Sequence, residues 1–219
     1  MTSRFTPRRA DRDPPKDCGL CPRLAAFREG NRATFPDWYN GAVPAFGVAD
    51  PRLLVVGLAP GLKGANRTGR PFTGDYAGDL LYPTLLKFDF AHGRYGADPG
   101  DGLALIDTVI TNAVRCVPPE NKPTPAEART CGRFLKAEIA GYGHLKAILA
   151  LGRVAHEATL RALDLKLSAY GFAHGAVHDL PGGQRLYDSF HCSRYNTNTG
   201  RLTTEMFEAV VADIRRYLP

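Results

Sequence analysis

The sequence predicts an α/β fold, with three αβα layers around a central, mainly parallel sheet. Short apolar runs alternate with amphipathic stretches along the 219-residue chain, and this alternation is typical of a parallel sheet covered by helices on both faces. The sequence contains no internal repeat, heptad pattern or linker, so residues 18–219 are expected to form one domain. Residues 1–17 are polar, basic and rich in proline, and we expect them to form a flexible tail.

The first half of the predicted domain starts with a buried strand and a glycine-rich loop. The apolar run Leu53–Val56 predicts the strand, and Gly57–Asp75 follows it at the carboxyl edge of the sheet, where open α/β sheets bind their ligands. Asp75 is a candidate N-cap of a helix over Tyr76–Phe88. Residues 91–102 are rich in glycine and polar side chains and predict a second loop.

The middle of the chain repeats the strand and helix alternation. The β-branched run Leu105–Val114 predicts the second strand. Thr124 to Glu127 is a capping box with proline at the first helical position, so a helix is expected from there to about Ala140. Ala147–Leu151 predicts a short buried strand, and Arg153–Leu163 predicts the helix that follows it.

The C-terminal part predicts a hairpin, a polar loop and a last helix. Gly182 and Gly183 separate two short apolar segments, the second being Arg185–Phe190, and this pattern favours a hairpin at the sheet edge. The polar segment His191–Gly200 follows directly, so its tip is expected near Gly57–Asp75. A final amphipathic helix is predicted after its cap, Thr203, with this apolar face: Met206, Phe207, Val210, Val211 and Ile214.

Composition favours a polyanionic partner for a protein without membrane spans. The net charge is +6 and the sequence pI is about 9.2, an excess that suits nucleic acid, although charge alone does not require it. No apolar run approaches the roughly 18 residues that a membrane helix needs. The N-terminus also lacks the apolar centre of a secretory signal. We therefore expect an intracellular, cytoplasmic protein with no membrane partner.

Four of the five cysteines have a spacing that suits a metal site. Cys18 and Cys21 form a CxxC turn, Cys116 ends the second predicted strand, and Cys131 lies about two turns into the next helix. If the chain doubles back there, four thiolates meet, and such a set binds Zn²⁺ or an iron–sulfur cluster. The alternative is a chance CxxC pair and two unrelated core thiols. Cys192 is interpreted as a packed core thiol.

Two polar segments carry side chains that suit a nucleic-acid ligand. His191–Gly200 offers hydroxyls, amides and backbone N–H groups for phosphates, and an arginine or tyrosine that can enter a base stack. An ordinary polar loop explains the same composition. In the first segment, Phe72 can equally be a core aromatic, and Asp75 can serve only as a helix cap.

Several longer motifs contain the candidate residues described above. They are Gly57-Leu58-Ala59-Pro60-Gly61, Asn66–Asp75, Val114–Pro119, Asn121–Pro125 and His191–Arg201. Together with the cysteine spacing they resemble the uracil-DNA glycosylase superfamily, most closely its iron–sulfur family 5 (type b) enzymes. The resemblance extends from Cys18 to the last helix. It implies a four-stranded parallel sheet and a [4Fe-4S] cluster, with structural zinc as the alternative, on Cys18, Cys21, Cys116 and Cys131.

The resemblance also implies an activity. A monofunctional DNA glycosylase would flip uracil, or a related deaminated base such as hypoxanthine, out of damaged single- or double-stranded DNA and hydrolyse its N-glycosidic bond. This would initiate base excision repair in a nucleoid-associated, monomeric enzyme. The alternatives are a family 4-like enzyme restricted to uracil and a metal-stabilised nucleic-acid-binding protein without catalysis.

Site residues follow from the same resemblance. Asp75 would orient water and stabilise the cationic sugar, His191 would donate a hydrogen bond to the leaving base, and Phe72 would stack on that base. Asn121 matches the base-reading residue of family 5, and Asn112 matches that of family 4, so their division of labour stays open. Backbone amides that would contact base oxygens belong to Gly57, Ala59 and Gly61.

The remaining implied contacts are with the DNA backbone. The residues expected to grip the strand and fill the gap left by the flipped base are Ser193, Arg194, Tyr195, Asn196 and Thr197. Those expected to attract phosphates are Arg67, Arg70, Lys63 and Lys122. The alternative for these four is a solvated basic surface, because arginine and lysine are usually exposed.

Overall fold

The computed structural model describes residues 12–218. Its strands are β1 (Phe46–Gly47), β2 (Leu53–Gly57), β3 (Ala91–His92), β4 (Ala104–Leu105), β5 (Thr108–Asn112), β6 (Ala147–Leu151), β7 (Val177–Asp179) and β8 (Arg185–Ser189). Its α-helices are α1 (Pro22–Thr34), α2 (Ala65–Thr68), α3 (Tyr76–Lys87), α4 (Pro125–Ala140), α5 (Arg153–Ala162), α6 (Arg194–Asn198) and α7 (Thr204–Tyr217). Short 3₁₀ turns lie at Pro119–Asn121 and Leu167–Ala169.

The central sheet has six strands in the order β1-β5-β2-β6-β8-β7. The inner four, β5, β2, β6 and β8, are parallel, whereas β1 and β7 pair antiparallel at the two edges. The predicted three-layer αβα fold is thus confirmed, and its four-stranded parallel sheet is the inner part of the observed one. The edge strand β1 has only two residues, too few for a sequence pattern to reveal.

Helices cover both faces of this sheet. Leu53 and Val55 point to a core that includes residues of α3 and α7. Leu54 and Val56 point to the opposite core, with residues of α4 and α5. Successive side chains of a strand face opposite sides, so a strand between two helical layers is apolar at every position. This explains why all five residues of β2 are buried.

Most predicted element boundaries agree with the structure to within one or two residues. The capping box of α4 is present, since Thr124 accepts from the Glu127 amide and Glu127 accepts from the Thr124 amide. The Thr203 side chain caps α7. The predicted hairpin is also present, and β7 is its edge strand while β8 lies inside the sheet. Helix α6 lies within the predicted polar loop His191–Gly200.

The predicted second strand is too long at its start. Asp107 has a left-handed backbone with φ of 48°, which separates β4 from β5 (Thr108–Asn112). β4 instead pairs with β3, at the beginning of the segment 91–102 that was expected to be a loop. The β-branched composition of Leu105–Val114 does not reveal this turn, because Asp107 is a single residue between apolar and β-branched neighbours.

The predicted flexible tail is wrong for residues 12–17, while residues 1–11 lie outside the described part of the chain. The Asp13 carboxylate accepts hydrogen bonds from the Arg115 guanidinium and the Ala45 amide, both at 3.0 Å. The Lys16 carbonyl accepts from the Ala42 amide at 2.8 Å. This segment is ordered because the fully buried Arg115 requires carboxylate partners.

Helix α1 has no counterpart among the predicted elements. Proline at its first turn is a usual start signal. Its buried residues are only Leu24, Arg28 and Asn31, so the apolar stripe that identifies most helices is missing. Within residues 12–218, no helix combines the length and apolar composition needed for a membrane span.

Candidate active site

A small cleft lies at the carboxyl edge of the parallel strands. The ends of β2 and β5, the start of α3 and the segment after β8 form its walls. Its lining residues are Ala59, Pro60, Gly61, Ala65, Phe72, Asp75, Ala77, Asn112 and His191. The structure therefore brings together Asp75, His191, Phe72 and Asn112, which the sequence places in three separate segments.

Asp75 occupies the N-cap position of α3 with an extended backbone, yet its side chain makes no capping hydrogen bond. Its Oδ1 atom is buried and lacks a hydrogen-bond partner within the described part of the chain. Its Oδ2 atom packs against two glycines, where a Cβ added to Gly61 would lie 3.0 Å away and one added to Gly64 would overlap it. The carboxylate is thus positioned in the cleft rather than used to cap the helix.

The electrostatic environment of Asp75 is unfavourable to its ionised form. Burial raises the pKa of this carboxyl group above its usual range. The amides of Ala77 and Gly78 offset part of this effect without forming a side-chain hydrogen bond of normal geometry. An orphaned buried carboxylate with a raised pKa is a common feature of catalytic acids and bases.

Asn112 ends β5 directly beside Gly57, its register partner on β2. The side chain is buried, and its Oδ1 atom has no partner among residues 12–218. A Cβ at Gly57 would overlap this oxygen and would lie 2.8 Å from Cε2 of Phe72. Gly57 therefore makes room for both side chains that converge on the cleft.

Phe72 is buried although its backbone has a φ of 53°, a conformation that is unusual for a bulky residue and often marks a functional site. Two tyrosines support this turn. The Tyr82 hydroxyl donates to the Pro71 carbonyl at 2.6 Å, and the Tyr95 hydroxyl donates to the Phe72 carbonyl at 3.3 Å. The Phe72 ring faces His191, with ring centroids 6.0 Å apart.

His191 follows β8 and presents its ring to the cleft. Burial lowers the pKa of this histidine to about 4, so the imidazole is neutral near pH 7. The Asn196 side-chain amide donates to the His191 carbonyl at 2.8 Å. Gly152, with φ of 95°, lies against the histidine Cβ. These contacts fix the backbone from which the ring projects.

Asn121 does not line the cleft. It is exposed on the 3₁₀ turn after Pro118, where Glu120 and Asn121 both have left-handed backbones. Of the two asparagines considered from the sequence, the structure thus brings only Asn112 to Asp75 and His191. Lys122 beside this turn is exposed and pairs with Glu120 at 3.1 Å.

The segment after His191 forms an exposed rim of the cleft. Ser193 caps α6 by accepting from the Asn196 amide, and the Thr197 hydroxyl donates to the Ser193 carbonyl. Arg194 lies over the Tyr76 ring at 5.2 Å from its centroid. Tyr195 is 70% exposed, the largest value among the exposed large hydrophobic side chains.

The prediction that Arg70 contacts phosphates is corrected by its burial. Its guanidinium donates to both carboxylate oxygens of Asp101, at 2.9 and 2.7 Å, and to the Thr73 hydroxyl at 2.7 Å. Only 5% of the Arg70 side chain is exposed, so it is a structural ion-pair residue of this loop. Arg67 and Lys63, by contrast, are exposed.

The four cysteines of the predicted metal site line one small apolar cavity between α1 and α4. Burial raises the pKa of Cys116 to about 12 and that of Cys131 to about 11. Among residues 12–218, no three of these sulfurs lie within 4.8 Å of one another. Tetrahedral zinc bonded to sulfur at about 2.3 Å would require sulfurs roughly 3.8 Å apart. Cys192 is fully buried elsewhere, in the core with α7.

Arg28 provides a positive charge beside these cysteines. Its Nη1 atom lies 3.9 Å from the Cys116 sulfur and donates to the Cys18 carbonyl at 3.0 Å. The side chain is 4% exposed, and its Nε atom lies 3.6 Å from the Glu29 carboxylate, too far for a hydrogen bond. A buried cation this close to the cysteines fits a negatively charged metal–thiolate group in this cavity.

Sequence reasoning missed several supporting residues. Gly64 contacts the Asp75 carboxylate and belongs to the glycine-rich run, so its spacing carried a usable signal. Tyr82 and Tyr95 hold the Phe72 turn from α3 and from the loop after β3. These hydrogen bonds connect separate segments of the chain, and no local sequence pattern predicts them.

The sequence of the chain matches those of known proteins. Residues 44–215 match the sequence model of the Uracil DNA glycosylase superfamily, so the chain belongs to that superfamily. The predicted membership of the DNA glycosylase class of hydrolases is thereby confirmed. The chain is 48% identical over 205 residues to the Type-5 uracil-DNA glycosylase of Thermus thermophilus, covering 91% of this chain and 93% of the relative.

Other relatives support the resemblance to the Type-5 group. The Type-5 uracil-DNA glycosylase of Mycobacterium tuberculosis is 41% identical over 207 residues, which cover 91% of this chain and 77% of that protein. The Type-4 uracil-DNA glycosylase of Thermotoga maritima is 32% identical over 171 residues, covering 78% of each chain. The chain is thus more similar to these Type-5 relatives than to this Type-4 relative, and the predicted family 5 resemblance is confirmed.

Proposed function

We propose that the protein is a monofunctional DNA glycosylase that removes uracil, and related deaminated bases such as hypoxanthine, from damaged DNA in base excision repair. The observation that carries the proposal is the pair of unpartnered oxygens, Asp75 Oδ1 and Asn112 Oδ1, in one cleft. Buried polar atoms nearly always have partners. A flipped-out nucleotide supplies them here, since the bond to be broken is hidden within a duplex.

Recognition of the base uses Phe72 and Asn112. The Phe72 ring stacks on the flipped base, and the Asn112 side chain offers both a donor and an acceptor to the base edge. Backbone amides near Ala59 and Gly61 approach base oxygens, because this part of the cleft wall is built from small residues. Asn121 is exposed outside the cleft, so it contributes to binding of the DNA and not to recognition of the base.

Bond cleavage uses Asp75 and His191. As the N-glycosidic bond lengthens, the sugar gains positive charge and the base gains negative charge. The Asp75 carboxylate stabilises the sugar and holds the attacking water. His191, whose pKa of about 4 keeps it neutral near pH 7, donates one N–H to the base oxygen. A fixed donor aimed at a developing oxyanion contributes much of the rate in such reactions.

The DNA partner binds along the exposed rim. Tyr195 enters the space that the flipped base leaves, as aromatic and apolar wedges do in bent or opened duplexes. Ser193, Asn196 and Thr197 hold the short helix that carries it. Arg194, Arg67 and Lys63 are exposed and attract phosphates. The sequence charge of +6 adds a non-specific attraction.

The cavity between α1 and α4 is proposed to hold a [4Fe-4S] cluster on Cys18, Cys21, Cys116 and Cys131. The spread of the sulfurs favours a cluster over a single zinc ion, and Arg28 offsets its negative charge. When bound, the cluster stabilises the fold of the loops that carry the cysteines. Iron and sulfide analysis of anaerobically purified protein tests this proposal, and zinc in place of iron would contradict it.

A base-release assay tests the proposed activity. Purified protein is incubated with uracil-containing, hypoxanthine-containing and undamaged duplexes, and the free base is quantified. We expect release from the first two and none from the third. Release of uracil alone would favour the uracil-restricted alternative. If Asp75→Ala released base at the wild-type rate, the proposed mechanism would be overturned. If the protein released no base from any substrate, the proposed activity would be overturned.

A further inference from the structure

Three ligand-type side chains converge outside both the cleft and the cysteine cavity. His156 on α5, His178 on β7 and Asp188 on β8 place one potential ligand atom each within 4.8 Å of the others. The His156 Nδ1 atom lies 2.8 Å from Asp188 Oδ1, and the His178 Nε2 atom lies 3.2 Å from Asp188 Oδ2. We propose that these three residues bind a divalent transition-metal ion of the zinc class.

These three residues lie on different elements of the chain, and only the fold brings them together. Asp188 has the same parity on β8 as Leu186, so its side chain faces the layer that contains α5. His178 pairs with Leu186 across the antiparallel hairpin. The Asp188 side chain has no exposed surface, whereas His178 retains 16% of its own. The cluster is therefore internal but can be reached from solvent on one side.

The second nitrogen of His156 is held as in a histidine metal ligand. Its Nε2 atom lies 3.0 Å from the Tyr170 carbonyl. Histidine ligands commonly donate their free ring N–H to a carbonyl, which fixes the tautomer and leaves the other nitrogen for the metal. The Tyr170 carbonyl can only accept, so Nε2 carries a proton and Nδ1 faces Asp188.

Without a metal ion, the same three side chains form a hydrogen-bonded cluster around Asp188. A histidine binds a metal through an unprotonated ring nitrogen, so protons compete with the metal and binding should weaken as the pH falls.

The dimensions and donor types suit zinc better than calcium or magnesium. Ligand distances of about 2.0 Å in a tetrahedral site require ligand atoms roughly 3.3 Å apart, and the two histidine nitrogens lie 2.8 Å from Asp188 Oδ1 and 3.2 Å from Asp188 Oδ2, respectively. Two imidazoles and one carboxylate favour zinc and related ions over hard oxygen-seeking cations. Water from the His178 side would supply the fourth ligand. Such an ion would tie the edge hairpin to α5.

Zinc binding by protein purified with its cysteine site loaded tests the proposal. We expect the wild type to bind one zinc ion per chain, measured by mass spectrometry after dialysis, with nitrogen and oxygen ligands in zinc X-ray absorption. His178→Ala should lower the affinity by at least about 10-fold. His144→Ala removes an exposed histidine that pairs with Asp50 elsewhere, and it should bind zinc like the wild type.

Three results would overturn the proposal. One is equal zinc binding by the wild type and His178→Ala. Another is a zinc spectrum with sulfur ligands only, which would assign the metal to the cysteines. The third is a wild type that binds no zinc besides its cysteine-site metal. Circular dichroism checks that each variant is folded, and His178→Gln replaces His178→Ala if the latter is not. If the wild type binds no zinc in addition to its cysteine-site metal, the cluster is a hydrogen-bonded ion pair.

Discussion

At the scale of single residues, the cleft keeps Asp75 in an environment that disfavours its charge. The carboxylate has a buried Oδ1 atom with no partner among the described residues, and its helix amides make no capping bond to it. Proteins often retain such unfavourable groups at sites where chemistry needs them, at a cost in stability. Substitution of this residue should therefore have opposite effects on stability and on activity.

Asp75→Asn should slow base release by about 100-fold or more and should raise the melting temperature at pH 7. Because the pKa of Asp75 is raised by burial, the folded protein binds this proton more tightly than the unfolded chain does. The ionised group thus lowers stability at neutral pH, and the native protein gains relative stability as the pH falls toward the raised pKa. Single-turnover kinetics and thermal unfolding measure the two effects.

Asp79→Asn is the matched control, since Asp79 is exposed in the first turn of the same helix. It should retain base release and lose about 0.3–1 kcal/mol through the helix dipole. For the wild type, the rate of base release should decrease as the pH falls toward the raised pKa of Asp75. This decrease should begin above the pH range in which aspartates usually titrate. An Asp75→Asn protein that is less stable than the wild type at pH 7 would contradict this account.

The two asparagines should differ in the same assay. Asn112→Ala removes a side chain from the cleft, so we expect base release to fall by about 100-fold. Asn121→Ala changes an exposed turn and should mainly weaken DNA binding, with a smaller loss of rate at saturating DNA. Comparable losses of rate in the two variants would show that the turn at Asn121 moves into the cleft when DNA binds.

The sequence identified the residues of the cleft better than their surroundings. Asp75, His191 and Phe72 belong to long motifs whose resemblance could be recognised, and the structure brings them together. Arg70 was misassigned because composition does not reveal that Asp101, thirty-one positions away, pairs with it inside the fold. Contacts between distant segments depend on the packed fold, and a single sequence carries no direct signal for them.

At the scale of elements, the close approach of β2 and β5 shapes the cleft. Gly57 and Asn112 are register partners, and the absence of a side chain at Gly57 leaves room for Asn112 and Phe72. The left-handed turn at Phe72 is held by hydrogen bonds from Tyr82 and Tyr95. The ends of two strands and one strained turn thus set the cleft geometry together.

Gly57→Ala should destabilise the protein by about 1–3 kcal/mol and should reduce base release even under conditions where it is fully folded. The added methyl group would displace Asn112 or Phe72 from the cleft. Gly132→Ala in α4 meets no atom within 4 Å and should increase stability by up to about 1 kcal/mol. Denaturant unfolding and base release distinguish the two, and normal activity in Gly57→Ala would refute the packing argument.

Strong local signals explain which elements could be predicted. The inner strands are apolar at every position, and α4 and α7 begin with clear caps. The edge strand β1 and helix α1 were missed because a strand of two residues, or a helix with only three buried positions, gives no periodic pattern. Tertiary packing, not local propensity, stabilises these elements.

At the scale of the whole molecule, the basic charge of the chain is divided between two uses. Arg70 and Arg115 are buried and paired with carboxylates, so they stabilise the fold. Arg67, Lys63 and Arg194 are exposed at or near the cleft rim and are available for phosphates. The net charge of +6 therefore does not translate residue by residue into DNA contacts.

Arg70→Ala and Arg67→Ala should separate these uses. Loss of Arg70 leaves the Asp101 carboxylate buried without its main partner, so unfolding free energy should drop by about 3–5 kcal/mol. Loss of Arg67 should leave stability nearly unchanged and reduce the salt dependence of DNA binding by about one counterion. Denaturant unfolding and DNA titrations at several salt concentrations measure both. If both variants changed the salt dependence of DNA binding equally, the assignment of Arg70 as a structural ion-pair residue would be contradicted.

The contact between Asp13 and Arg115 sets a practical lower limit on how far the N-terminus can be trimmed. Arg115 is held by Asp13 on one side and Glu138 on the other, and its own amide donates to the Cys131 sulfur at 3.3 Å. A polypeptide shortened to begin at Cys18 would retain every cysteine but lose Asp13. Its damage should appear first as faster loss of the metal cluster proposed for the cysteine cavity, so an expression boundary belongs before residue 12.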